Sequence, residues 1–230
     1  MKLTTTHLTN DKGGGANSFN TASISPLPNH LIIAVVLHQA SDTGSPAANQ
    51  PSISGCGLTW TLIATQQNTT DSTQRVSVFK ASGAAVSGQL TISFGGQTQM
   101  SAFWGVTQFN FANTTGSNAA NAIVQSATKS ENTTDPMSMT LTLSAFENND
   151  NAIFAACIGP DTLTLPSGFT NIFTDTQDLG PDNSVRACWK DSPSTSTLFT
   201  STGSGAGVST GLAIEIRRST NYGSGIAVMF

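Results

Sequence analysis

Apolar and polar residues alternate in short runs along most of this chain, and Gly, Pro, Asn and Asp separate the runs. A period of two puts successive side chains on opposite faces of a strand, so the pattern predicts β-strands throughout. In Arg75–Ala81, Val76, Val78 and Lys80 fall on one side and Ser77 and Phe79 on the other. Leu31–Leu37 is apolar without a break, which predicts a strand buried on both faces. No segment carries a helical period. A short first strand is expected within 2–8, a flexible Gly-rich connector over Asn10–Ala16, and a long Ser-, Pro- and Ala-rich loop over Gln39–Pro51.

The same order of blocks occurs twice, at an offset of about 110 residues. Gly57-Leu58-Thr59 matches Gly168-Phe169-Thr170, and Phe79-Lys80 and Ser82 match Trp189-Lys190 and Ser192. Upstream, Leu31–Val36 matches Ala152–Cys157. The period is too long for a solenoid and reads as an internal duplication of a β unit. Copy one spans 17–111 and copy two 121–217, with an N-terminal arm over 1–16 and a C-terminal arm over 219–230. The expected fold is all-β, a jelly-roll-like antiparallel β-sandwich. Either each copy gives half of both sheets, or each closes a small sandwich of its own. The single sandwich is favoured, because each copy has few large apolar residues for a separate core.

Composition narrows the function classes. Charged residues make up 10% of the chain, and Ser, Thr, Asn, Gln and Gly supply the polar surface instead, which suits a secreted or virion β-protein. The net charge is −4 and no Lys/Arg run occurs, so no nucleic-acid partner is expected. No apolar stretch reaches the roughly 20 residues of a membrane helix. The start, MKLTTTHLTND, lacks the apolar core of a signal peptide, so the chain is expected to stay in the cytoplasm or to leave it by lysis. The three cysteines show no framework spacing. Cys157 aligns with Val36 and Cys188 with Val78, which reads them as small buried hydrophobes.

Candidate chemistry is sparse. His7, His30 and His38 are unlinked, and H-E-x-x-H does not occur. Glu131 and Glu147 fall in polar turns, and Glu215 aligns with the uncharged Gln108, so no facing carboxylate pair stands out. The Asp175–Asp182 loop gathers aspartates without EF-hand spacing. Gly203–Gly207 lacks the Lys and helix of a phosphate loop, and the sequons at Asn68, Asn113 and Asn132 read as polar turns. No catalytic residue, cofactor or metal is expected. Trp60 and Trp104 are the candidates for stacking on a glycan, against a competing reading as core residues. Lys2 and Leu3 could donate a strand to a neighbour's sheet edge. Ile226, Val228, Met229 and Phe230 would be costly to leave in water, so the tail is expected to bury against its own sandwich or a neighbour.

The block order is an apolar run, G-x-T-W, V-x-V-F-K-A, G-x-L-T-I-S-F and W-G-V-x-x-F, at Leu31–Val36, Gly57–Trp60, Val76–Ala81, Gly88–Phe94 and Trp104–Phe109. It resembles the β-sandwich repeat of tailed-bacteriophage and prophage structural proteins, from about residue 17 to 217. Copy two departs from it: Asn171 replaces the Trp, and Gly211 aligns with Trp104. The resemblance implies a virion component without enzymatic activity, either a capsid decoration (cement) protein or a tail-fibre or receptor-binding module. The partners it implies are the major capsid protein and copies of this chain, as a trimer on the capsid surface.

Overall fold

Strands are numbered in chain order. The first half contains β1 (Thr4–Gly13), β2 (Ser18–Asn20), β3 (Leu31–Ala40), β4 (Ser52–Gly55), β5 (Thr61–Gln67), β6 (Gln74–Ala81), β7 (Leu90–Ser93) and β8 (Gln99–Asn110). After a 3-10 turn at Ala120–Ala122, the second half contains β9 (Ile123–Thr133), β10 (Ser138–Thr142), β11 (Ala152–Pro160), β12 (Thr170–Gln177), β13 (Asn183–Lys190), β14 (Ser196–Thr200) and β15 (Gly207–Ile216). The computed structural model describes residues 2–41, 46–133, 136–177, 183–202 and 207–220. All the ladders are antiparallel.

The two halves have the same strand order. One five-stranded sheet runs β1-β8-β3-β6-β5 and the other β9-β15-β11-β13-β12. Each is backed by a small outer sheet, β2-β7-β4 in the first half and β10-β14 in the second. A single bridge, Leu163↔Ser201, stands where the second half would have a third outer strand. The chain is therefore an all-β sandwich protein, but not one sandwich shared between copies. Each half closes its own pair of sheets, and the five-stranded sheets pack back to back, β1 over β12 and β5 over β9, as a pseudo-twofold arrangement requires.

The continuous apolar run explains this layering. Every residue of β3 is buried. Leu31, Ile33, Val35 and Leu37 face the central core between the five-stranded sheets, while Ile32, Ala34 and Val36 face the outer core of their own half. β11 repeats the division: Ala152, Phe154, Ala156 and Ile158 face the centre, and Ile153, Ala155 and Cys157 face outward. Each half thus lacks a full core of its own and shares a third one with its neighbour, which supplies the apolar burial that a separate unit of this size would need.

Local geometry also repeats. Gly57 and Gly168 both turn with left-handed backbone, at φ 65° and 78°, a conformation that a Cβ disfavours. Trp104 lies opposite Val36 and Gly211 opposite Cys157, so both occupy the outer face. At Gly211 a Cβ would overlap the Met139 side chain, so Met139 fills the space that Trp104 fills in the first half. One sequence match is shifted. Phe79 packs in the first outer core, whereas Trp189 packs against the central core, with its ring 6.0 Å from Phe109. Cys188, not Trp189, shares the outward orientation of Phe79, so its alignment with the centre-facing Val78 is also one residue out. A one-residue slip exchanges the two faces of a strand.

The edge strands of both five-stranded sheets are bulged. The register skips Leu8 in β1, Ile63 in β5, Val124 in β9 and Ile172 in β12. Bulges of this kind twist an edge away from further pairing. The N-terminal segment is not a free arm. β1 takes in most of the expected Gly-rich connector and pairs with β8 of its own chain from Thr4↔Asn110 to Gly13↔Ala102.

Candidate functional site

The residues singled out in the sequence do not converge. Trp104 is buried, stacked on Phe19 at 5.4 Å, with its indole N–H unpartnered. Trp60 is half-buried against the same core and donates Nε1 to the Gly55 carbonyl at 3.4 Å. They form no exposed stacking platform, because each fills the gap between the sheets of the first half. Lys2 is exposed, but Leu3 is buried in the central core and its N–H donates to Asp191 Oδ1 of the second half at 3.2 Å. Leu3 therefore straps the start of the chain across both halves and is not presented to a neighbour. Ile226, Val228, Met229 and Phe230 lie outside the described residues, as do Asp178, Asp182 and most of Gly203–Gly207. Asp175 pairs with Lys12 at 2.8 Å.

His38 and two of the cysteines are fixed by burial in the cores. His38 is fully buried; Nδ1 meets Gln99 Oε1 at 2.7 Å and the ring packs on Phe94 at 4.7 Å. Burial holds its pKa down at about 4, with Arg75 adding to the depression and the Gln99 bond opposing it, so the ring is neutral near pH 7. Cys157 and Cys188 are free and buried, and desolvation raises both thiols well above their ordinary range. Among the described residues no three His, Cys, Asp or Glu side chains gather into a metal-binding group.

What the structure assembles instead is a pair of clefts at the seam between the halves. The segments after β8 and β15 form a short ladder across the pseudo-twofold: Ala112 bridges Arg218, Asn113 N donates to Arg217 O at 2.8 Å, and Ser219 N donates to Phe111 O at 2.8 Å. A cleft of about 200 Å³ includes Asn29, His30 and Phe111 from the first half. Its counterpart, about 410 Å³, includes Glu147, Asn148, Arg217 and Arg218 from the second. The loops forming them are held in the same way. In the first half the buried Gln108 accepts the Leu27 N–H at 2.8 Å. In the second the buried Glu215 accepts Glu147 N at 3.1 Å, Asn151 Nδ2 at 2.6 Å and Gln125 Nε2 at 2.6 Å. Three donors satisfy a carboxylate that would otherwise be costly to bury.

The larger cleft has fixed and charge-balanced walls. Arg217 donates Nε and Nη2 to Glu147 Oε2 at 3.0 and 2.6 Å. Arg218 donates to Asp191 at 2.9 Å and Asp150 at 3.3 Å, while its backbone N–H donates to Asn151 Oδ1 at 3.1 Å. The sequence marked Glu147 and Asn113 only as turn residues and did not single out Arg217 or Asn148. The alignment of Glu215 with Gln108 was the available signal, since a polar residue at that point in an otherwise apolar strand must hold something. No protein-family model matches the chain, and neither does any curated protein or solved structure.

Proposed function

We propose that this chain is a non-enzymatic structural component of a tailed-phage virion, a decoration or cement protein that binds the major capsid protein and copies of itself, as a trimer on the capsid surface. The observation that supports this reading best is the central core. It joins two sandwiches into one four-layered block, and the bulged edges leave binding to the Ser-, Thr- and Asn-rich faces and loops. Such a block is suited to surface complementarity with little charge. The shared strand order of the halves supports reading them as products of a duplication. The tail-fibre alternative loses the aromatic platform it would have used, because Trp104 is buried.

The test is addition of purified protein to phage heads that lack it. Saturable binding at symmetry-related sites and a higher temperature of DNA release are expected. Heads that bind none of it, together with its recovery in tail fractions, would shift the assignment to a tail module.

A further inference from the structure

We propose that the larger seam cleft is a binding site for a neutral saccharide. The argument rests on which polar groups the cleft leaves over. Among the described residues, Arg217 Nη1, Asn148 Nδ2, Asn113 Nδ2 and Glu147 Oε1 make no hydrogen bond, although each side chain or its neighbour is fixed by other bonds. The residues that carry these donors and this acceptor line one cleft of about 410 Å³, within the size range of small-molecule sites. Sugar hydroxyls each donate and accept, so adjacent hydroxyls can satisfy an amide or guanidinium and a carboxylate together.

The charges disfavour other ligands. Arg217 is balanced by Glu147, and Arg218 by Asp150 and Asp191, so neither arginine is left uncompensated for an anion. Among the described residues no aromatic side chain lines this cleft, whereas a nucleobase is ordinarily held by stacking on one. Preorganisation comes from beneath. Glu215 pins the backbone at Glu147 and the side chain of Asn151, and Asn151 pins the backbone at Arg218. Little ordering entropy then remains to be lost on binding. The pseudo-equivalent cleft has Phe111 and His30 in its walls, so the halves present two chemically different surfaces about one axis.

The experiment is a titration of the full chain, followed by backbone amide resonances, with glucose, galactose, mannose, N-acetylglucosamine, maltose and lactose, and separately with inorganic phosphate. At least one sugar should produce saturable shifts confined to the amides of Asn113, Glu147, Asn148 and 217–220. Arg217→Met and Glu147→Gln should each weaken binding of that sugar about tenfold or more, with melting temperatures close to the parent because both side chains are at the surface. The proposal is overturned if no sugar saturates at these amides, if phosphate alone does so, or if both folded variants bind the sugar as tightly as the parent. The capsid reading is independent of this result, since head occupancy is measured without sugar.

Discussion

Burial of an imidazole sets a pH dependence that can be assigned to one side chain. His38 has a folded-state pKa of about 4 against an ordinary 6.5. Between these values the unfolded chain binds the proton and the folded chain does not. The contribution of His38 is therefore fully present above about pH 6.5, falls as pH drops towards 4, and is constant below that. The span corresponds to roughly 3 kcal/mol at most. Urea midpoints of the parent should fall over this window relative to those of His38→Gln, and parallel profiles would assign the acid sensitivity elsewhere. Gly105 is a second point of control. A Cβ there would overlap the Phe173 ring, which crosses from the second half onto the first. Gly105→Ala should destabilise by about 1–3 kcal/mol through overpacking. Adding Phe173→Leu should recover part of that loss; additive losses in denaturant melts would mean the two sites do not touch.

Strands were legible because alternation reports one face at a time, and β3 was legible as a doubly buried strand because it has no polar face until His38. Pairing partners were less so. The bulges at Leu8, Ile63, Val124 and Ile172 are defined by the opposing strand, and alternation within one strand carries no trace of its neighbour's register. The same blindness placed Trp189 over Phe79, although the two side chains leave opposite faces of their sheets. Trp60 and Trp104 drew attention as rare aromatics, whereas the cleft at the seam is made of common polar residues brought together across a long separation in sequence. Edge bulges have a measurable role. Deleting Ile63 should straighten β5 without changing its partners, because Leu62 and Ala64 already pair with successive residues of β6 and face opposite sides of the sheet. Lower stability, from the lost packing of Ile63 on the central core, and concentration-dependent light scattering are expected, and a monomer of parental stability would show that the bulge does not protect the edge.

The central core determines what can be cut from this molecule. Leu31, Ile33, Val35, Leu37, Val76, Val78, Phe103 and Phe109 of the first half face residues of the second, and each fully buried side chain of this kind is worth roughly 1.5–3 kcal/mol. Polar groups add to the seam: Asn68 Nδ2 donates to Ser209 O at 2.9 Å and to Thr210 Oγ1 at 3.1 Å, and Asn183 Nδ2 donates to Gln39 Oε1. Separating the halves would strand these groups as well as expose the apolar face. Residues 1–118 expressed alone should therefore not remain a well-packed monomer. Because the five-stranded sheets are related by a pseudo-twofold, a second copy of the first half offers a similar apolar face, and self-association through it is the expected escape. Mixing the fragment with residues 119–230 should restore a one-to-one complex with the dispersed amide spectrum of the whole chain. Sedimentation and amide spectra decide the outcome: a first half that sediments as a monomer, unfolds cooperatively and ignores the second fragment would mean that its outer core alone suffices, and that the back-to-back packing contributes little to stability.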